Sequence, residues 1–238
     1  MTSAFTPFEP RPNLESQALR AVDLTGPAGR LEALLNQGAP DAPYAALVCH
    51  PHPLGGGTMH NKVAYHAMKV LNAPEWGLRW PVLRFNFRGT GLSEGNHEGK
   101  AESGDVLAAL QWLEDEFHRP AVVVGFSFGA AMALTACCDS SAGSSIPGHL
   151  RAVAALGLPT QAFGHLFRYR FLANCALPKL FLSGELDSFA PSNDLQQVVK
   201  AAGEPKKLVL IPGADHSFSG QIEAMQNELA AWLKEYVQ

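Results

Sequence analysis

The stretch Ala121-Val122-Val123-Val124-Gly125-Phe126-Ser127-Phe128-Gly129-Ala130-Ala131-Met132 decides how this chain is read. A β-branched run enters a Gly-x-Ser-x-Gly turn, and Ala-rich residues leave it. β-branched side chains suit a strand and alanine suits a helix. Ser127 is therefore expected on a sharp strand-to-helix turn, with its hydroxyl exposed and its backbone strained. Gly125 and Gly129 carry no Cβ, so strand and helix can approach closely on either side. The N–H groups and positive dipole end of the following helix then face the place where a negative oxygen would form. A serine in an ordinary Gly-rich turn would give the same five letters, and it is the strand before and the helix after that favour a nucleophile.

The 238 residues fit one α/β domain spanning positions 1–238. An apolar content of 47% is enough for a sizeable core, and the net charge of −4 argues against nucleic acid or an anionic membrane as a partner. The start Met1-Thr2-Ser3-Ala4-Phe5 has neither a basic nor an apolar signal region, and no apolar run approaches the length of about 18 residues that a membrane span needs. The four cysteines, Cys49, Cys137, Cys138 and Cys175, have no zinc-like spacing. Cys137 and Cys138 are expected as small buried groups on the helix after the turn. Free thiols and a cytoplasmic location are expected.

Outward from Ser127, the pattern alternates strand and helix. Residues 1–13 are Pro-rich and expected to be irregular, and 17–24 with 29–35 form an antiparallel pair around Thr25-Gly26-Pro27-Ala28. Strands follow at 44–49, 81–87, 121–125, 151–158, 179–183 and 207–211, with helices at 61–71, 99–117, 129–138, 193–202 and 222–236. Residues 140–149 form a Ser/Gly loop, and 160–177 are irregular and aromatic-rich. Such alternation implies a parallel sheet with helices on both faces, where ligands bind at the carboxyl ends of the strands.

A serine hydroxyl needs a base to take its proton and an acid to orient that base. The acid candidate is Asp187, after the strand 179–183, with Glu185 as the alternative in the same loop; Asp187 could otherwise cap the helix near Asn193. The base is His216, since it alone of the histidines lies between the final strand and the last helix; its neighbour Asp215 is expected to be structural. Oxyanion donors must be backbone N–H groups. Phe128 supplies one, and the loop His50-Pro51-His52-Pro53-Leu54-Gly55-Gly56-Gly57 supplies the other. Pro51 and Pro53 have no N–H, so the choice is His52 or Leu54, with His52 favoured by its place just after the strand. The histidines of this loop are expected to shape it and not to bind a metal. Phe126, Leu54, Met59, Phe163 and Phe167 are the candidate substrate-binding side chains, with Phe128 beside them. Arg88, in Phe87-Arg88-Gly89-Thr90-Gly91, is expected to anchor loops beside the site, since the spacing is not that of a phosphate loop.

Taken together, the His50 loop, Phe85-Asn86-Phe87-Arg88-Gly89, Gly125–Gly129, Gly184–Asp187 and Gly213–His216 resemble the small α/β-hydrolases. The likeness is greatest to the compact, lidless, dienelactone-hydrolase-like group with His-Pro-His-Pro, Gly-Gly and Asn-Lys. It runs from about Tyr44 to the C-terminus and includes the chain order Ser, acid, His. The resemblance implies an α/β-hydrolase fold of about eight mostly parallel strands, ester hydrolysis through an acyl-enzyme, and no cofactor. Dienelactone hydrolases proper use a cysteine nucleophile where this chain has Ser127, so a simple carboxylesterase is expected. Acyl transfer, amide hydrolysis, or ligand binding without catalysis are the alternatives. The partner is then a small-molecule ester, and the chain is a monomer or homodimer. The segment between Leu158 and Leu177 is too short for a large cap domain, which implies an open cleft suited to small and medium acyl groups, best from acetyl to hexanoyl.

Overall fold

The computed structural model describes residues 19–140, 147–162 and 165–237. Its elements, in chain order, are β1 (Leu19–Gly26), β2 (Gly29–Asn36), β3 (Ala45–Cys49), α1 (Lys62–Asn72), β4 (Val82–Phe85), α2 (Ser103–Phe117), β5 (Ala121–Phe126), α3 (Phe128–Cys138) and β6 (Leu150–Leu156). They continue with β7 (Gln161–Ala162), β8 (His165–Leu166), β9 (Lys179–Gly184), α4 (Ser192–Ala201), β10 (Lys206–Ile211) and α5 (Ile222–Tyr236). Eight strands form one sheet in the order β1-β2-β4-β3-β5-β6-β9-β10. The hairpin β1–β2 and the β2–β4 pair are antiparallel, and every pair from β4 to β10 is parallel.

Both faces of the sheet are covered, which explains the unbroken apolar runs of its central strands β3 and β5. Val122, Val124 and Phe126 pack with α1 and α5, whereas Ala121 and Val123 pack with α2, α3 and α4. Side chains alternate along a strand with period two, so one short run feeds two cores. The helix α3 packs on β5 and β6 beside α2, and its small residues suit a site buried on nearly every side.

The chain boundaries follow local chemistry. Asn61 starts α1, its side-chain oxygen accepting the N–H groups of Val63 (2.9 Å) and Ala64 (3.4 Å). The helix expected from Gly99 begins instead at Ser103. Gly99 has φ +87°, and the Glu102 carboxylate accepts the N–H groups of Glu98 (2.7 Å) and Gly99 (3.1 Å), which holds this stretch as a loop. The segment 160–177, expected to be irregular, carries the β7–β8 hairpin and a 3-10 turn at Arg170–Asn174. Among the described residues no helix is long and apolar enough to cross a membrane.

Candidate active site

Ser127 stands where β5 ends and α3 begins, with φ +55° and ψ −118°, a conformation rare for a residue with a side chain. The surroundings hold it there. Its N–H donates to the Leu156 carbonyl (2.9 Å), and its own carbonyl accepts from Ala130 and Ala131 (2.9 and 3.1 Å). A Cβ on Gly125 would lie 2.3 Å from the Gly129 oxygen, and one on Gly129 would lie 2.4 Å from the Cys49 oxygen. Both glycines are thus required by contact between the strand, the helix and the end of β3.

His216 follows β10, and its Nε2 lies 2.9 Å from Ser127 Oγ. Its Nδ1 lies 2.8 Å from Asp187 Oδ2. The imidazole sits between Phe126 and Phe189, at 5.1 and 4.7 Å between ring centroids, and above Gly157, where even a methyl group would crowd it at 3.2 Å. Asp187 is buried, and four donors converge on its carboxylate. Oδ2 accepts from Ser183 Oγ (2.9 Å) as well as from His216, and Oδ1 accepts the N–H groups of Phe189 (2.9 Å) and Ala190 (3.1 Å). Such a carboxylate is held in one orientation and aims one lone pair at the histidine. Glu185 points elsewhere and accepts the Gly213 N–H (3.1 Å), bracing the loop after β9 against the loop after β10. Asp215 accepts from the N–H groups of Ser217 (3.0 Å) and Ser219 (2.9 Å) and shapes the His216 turn; the Ser219 bonds hold its carboxyl below the usual range.

The loop after β3 lies against the first turn of α3. His52 and Phe128 rings are 4.9 Å apart, and both residues line the cavity beside Ser127. Leu54 does not suit an oxyanion donor, because its N–H already donates to His52 Nδ1 (3.2 Å). The N–H groups of Gly55 and Gly57 both donate to the His52 carbonyl (3.0 Å), closing the loop on itself. His50 fixes the loop from below. Its Nε2 accepts the Phe87 N–H (3.0 Å) and its Nδ1 faces the Pro51 carbonyl (2.6 Å). Burial lowers its pKa to about 4, so it stays neutral, as these two bonds require. Arg88 makes paired contacts with buried Asp105 (Nη2 to Oδ1, 2.7 Å) and reaches Glu98 (2.9 Å), tying the end of β4 to α2. No group of three or more His, Cys, Asp or Glu side chains gathers in metal-holding geometry among the described residues.

A cavity of about 620 Å³ surrounds Ser127. Phe126 and Phe167 line it, as expected from the sequence; Leu54 and Met59 do not. Leu54 is 80% exposed because the turn at Pro53–Gly55 throws it outward. Met59 is buried, its N–H donating to Asn86 Oδ1 (2.8 Å) and its carbonyl accepting from Arg84 (3.1 Å). Phe163 lies outside the described residues. The expectation of four free thiols is also corrected. Cys138 and Cys175 form a disulfide, with Cα atoms 5.2 Å apart, joining the end of α3 to the turn at Arg170–Asn174. Neighbouring positions on a helix face different ways, so Cys137 stays free in the core while Cys138 meets the turn. Burial pushes the Cys137 thiol up to about 12, leaving it inert.

Sequence reasoning missed two features. One is Ser183, which steadies Asp187 from inside β9. The other is His97, whose Nδ1 lies 2.7 Å from the buried Glu102 and whose ring is 4.7 Å from His52. Burial, together with the neighbouring His97, lowers the His52 pKa. Neither had a local signal beyond its residue type, since each matters through a partner across a loop.

A family model described as an alpha/beta hydrolase domain matches residues 46–237. An uncharacterised protein of Rickettsia prowazekii is 33% identical over 217 residues, covering 87% of this chain and 86% of its own length. Among solved structures, an a/b serine hydrolase without lid from Xanthomonas campestris is 26% identical with a TM-score of 0.75, covering 97% of this chain and 98% of that one. An alpha-beta serine hydrolase homologue from Coxiella burnetii is 29% identical with a TM-score of 0.76, covering 89% and 96%.

Proposed function

The chain belongs to the alpha/beta hydrolase family, and from that premise we propose that it is a carboxylesterase acting through Ser127, His216 and Asp187. The observation that carries this is the unbroken line of contacts from Asp187 to His216 Nδ1 (2.8 Å) and from His216 Nε2 to Ser127 Oγ (2.9 Å), ending on a serine in a strained turn. In this reaction Ser127 Oγ bonds to the ester carbonyl carbon while its proton passes to His216 Nε2. Asp187 accepts a hydrogen bond from Nδ1–H, which keeps the tautomer that leaves Nε2 free to act as base and stabilises the imidazolium. The carbonyl oxygen becomes an oxyanion, held by the N–H groups of Phe128 and His52, each such donor lowering the barrier by about 3 kcal/mol. As the tetrahedral adduct collapses, the alkoxide leaves with the proton from His216. Water then attacks the acyl-Ser127 carbonyl carbon, giving a proton to the same nitrogen, and the acid departs as His216 returns that proton to Ser127 Oγ.

The test is Ser127→Ala, assayed for hydrolysis of p-nitrophenyl butyrate and for labelling by a fluorophosphonate. Both are expected to disappear, with turnover falling by several orders of magnitude and the circular dichroism spectrum unchanged. Retention of more than about a tenth of the turnover would place the nucleophile elsewhere, since a triad serine accounts for far more than that factor.

A further inference from the structure

We propose that this site takes an ester with one unbranched alkyl arm of about eight carbons, laid along α3 from Ser127 towards Asp139. The inference rests on the hydrolase function proposed above and names the substrate class. Phe128, Ala131, Met132, Thr135 and Asp139 all line the cavity. Their spacing is that of a single helix face, so one arm of the cavity runs along α3. With a rise of about 1.5 Å per residue, Thr135 lies about 10 Å beyond Phe128, and Asp139 about 16 Å.

The first part of this groove is apolar. Ala131 leaves room, Met132 is flexible and adapts to a chain, and the facing wall is built from Pro159, Ala162, Phe167, Tyr169 and Phe171. That wall is fixed in place. The Thr160 and Gln161 N–H groups donate to the Phe189 carbonyl (2.9 and 3.1 Å), and Tyr169 donates its hydroxyl to the Pro159 carbonyl (2.7 Å). The Cys138–Cys175 disulfide fastens the turn carrying Phe171 to the end of α3. Along α3 and this wall the polar groups are Thr135, Asp139 and Arg168, while Asn61 and Lys100 line the rest of the cavity. A single C–C bond of about 1.5 Å advances an extended chain by about 1.3 Å, so an apolar reach of about 10 Å takes about eight carbons. The arm can belong to the acyl or the alcohol half of the ester, because Ser127 lies near one end of the groove.

Two series separate these halves: p-nitrophenyl esters from acetyl to palmitoyl, and acetates of straight-chain alcohols of two to twelve carbons. In one series kcat/KM is expected to rise about fourfold per added methylene up to about eight carbons, then to level or fall. A rise in the first series puts the acyl chain along α3, and a rise in the second puts the alcohol there. Thr135→Trp should cut the octanoyl-to-acetyl ratio (or octyl-to-ethyl ratio) of kcat/KM at least about tenfold, and Ala131→Leu should move the optimum to about four carbons. Binding gives an independent readout: 1-octanol should raise the Tm of the Ser127→Ala protein, and ethanol at the same concentration should not. Profiles flat within about threefold in both series, with normal fluorophosphonate labelling, would overturn the groove while leaving the hydrolase function standing. A protein without turnover or labelling that is still stabilised by octanol would keep the groove and sink the hydrolase function. Failure of octanol to shift Tm, alongside flat profiles, would sink the groove outright.

Discussion

Adding one methyl group at Gly125 tests the nucleophile turn most sharply. A Cβ there would stand 2.3 Å from the Gly129 oxygen, 2.5 Å from the Gly129 carbonyl carbon and 2.6 Å from the Ala130 Cα. Ordinary contact begins at 3.4 Å, so the start of α3 must retreat from β5 by about 1 Å. It has nowhere to go. Gly129 is itself pressed against the Cys49 and His50 carbonyls, where its own Cβ would meet oxygens at 2.4 and 2.5 Å. Overpacking against side chains that can turn costs about 1–3 kcal/mol, and here every obstacle is backbone, so about 3 kcal/mol is expected for Gly125→Ala. For a domain of this size that lowers Tm by about 6–12 °C. A shift of about 1 Å at Ser127 also breaks the 2.9 Å contact with His216, and misplacement on that scale costs about 100-fold in rate. The assay is thermal unfolding together with kcat/KM on p-nitrophenyl butyrate. Gly55→Ala is the control, since a Cβ there meets nothing within 4 Å and stability should change by less than about 0.5 kcal/mol. A Gly125→Ala protein within about 2 °C and about threefold of wild type would refute the contact reasoning.

Asp187→Asn should lower kcat by about 10⁴ through the wrong His216 tautomer, whereas Glu185→Gln should leave kcat within about tenfold because it only braces Gly213; the reverse ranking would move the acid to Glu185. Asp105→Ala should destabilise the protein by about 3–5 kcal/mol in urea unfolding, because it strands the buried Arg88 guanidinium. Glu98→Ala removes only an exposed partner of that guanidinium and should cost less than about 1 kcal/mol; equal losses would contradict the burial argument. His50 should make stability fall with acidification. Its folded pKa is lowered to about 4 from 6.5, so the unfolded chain takes up the proton first. The contribution is fully present above pH 6.5 and is lost as pH falls towards 4, amounting to about 3 kcal/mol at the lower end. Urea midpoints at pH 7.0 and 4.5 for wild type and His50→Gln should show a shallower pH slope in the variant, and parallel slopes would refute the assignment.

Much of this protein was legible along the chain. The β5 run, the Gly-x-Ser-x-Gly turn and α3 are encoded by neighbours within a dozen positions, because strand period, helix preference and the freedom of glycine are local properties. The order of strands and helices also follows from periodicity, and with it the placing of Asp187 and His216 in loops at strand ends. Distances between those loops are another matter. Ser127 and His216 lie 89 positions apart, and only the order of strands in the sheet brings their loops together. The direction in which a loop side chain points has no period to read. That is why the meeting of Asp187 with His216, the outward turn of Leu54 and the burial of Met59 waited for the tertiary structure. The pairing of Cys138 with Cys175 and the meeting of His97 with His52 belong to the same class. Each depends on contacts across the fold, where packing and hydrogen-bond geometry outweigh the preference of any one residue.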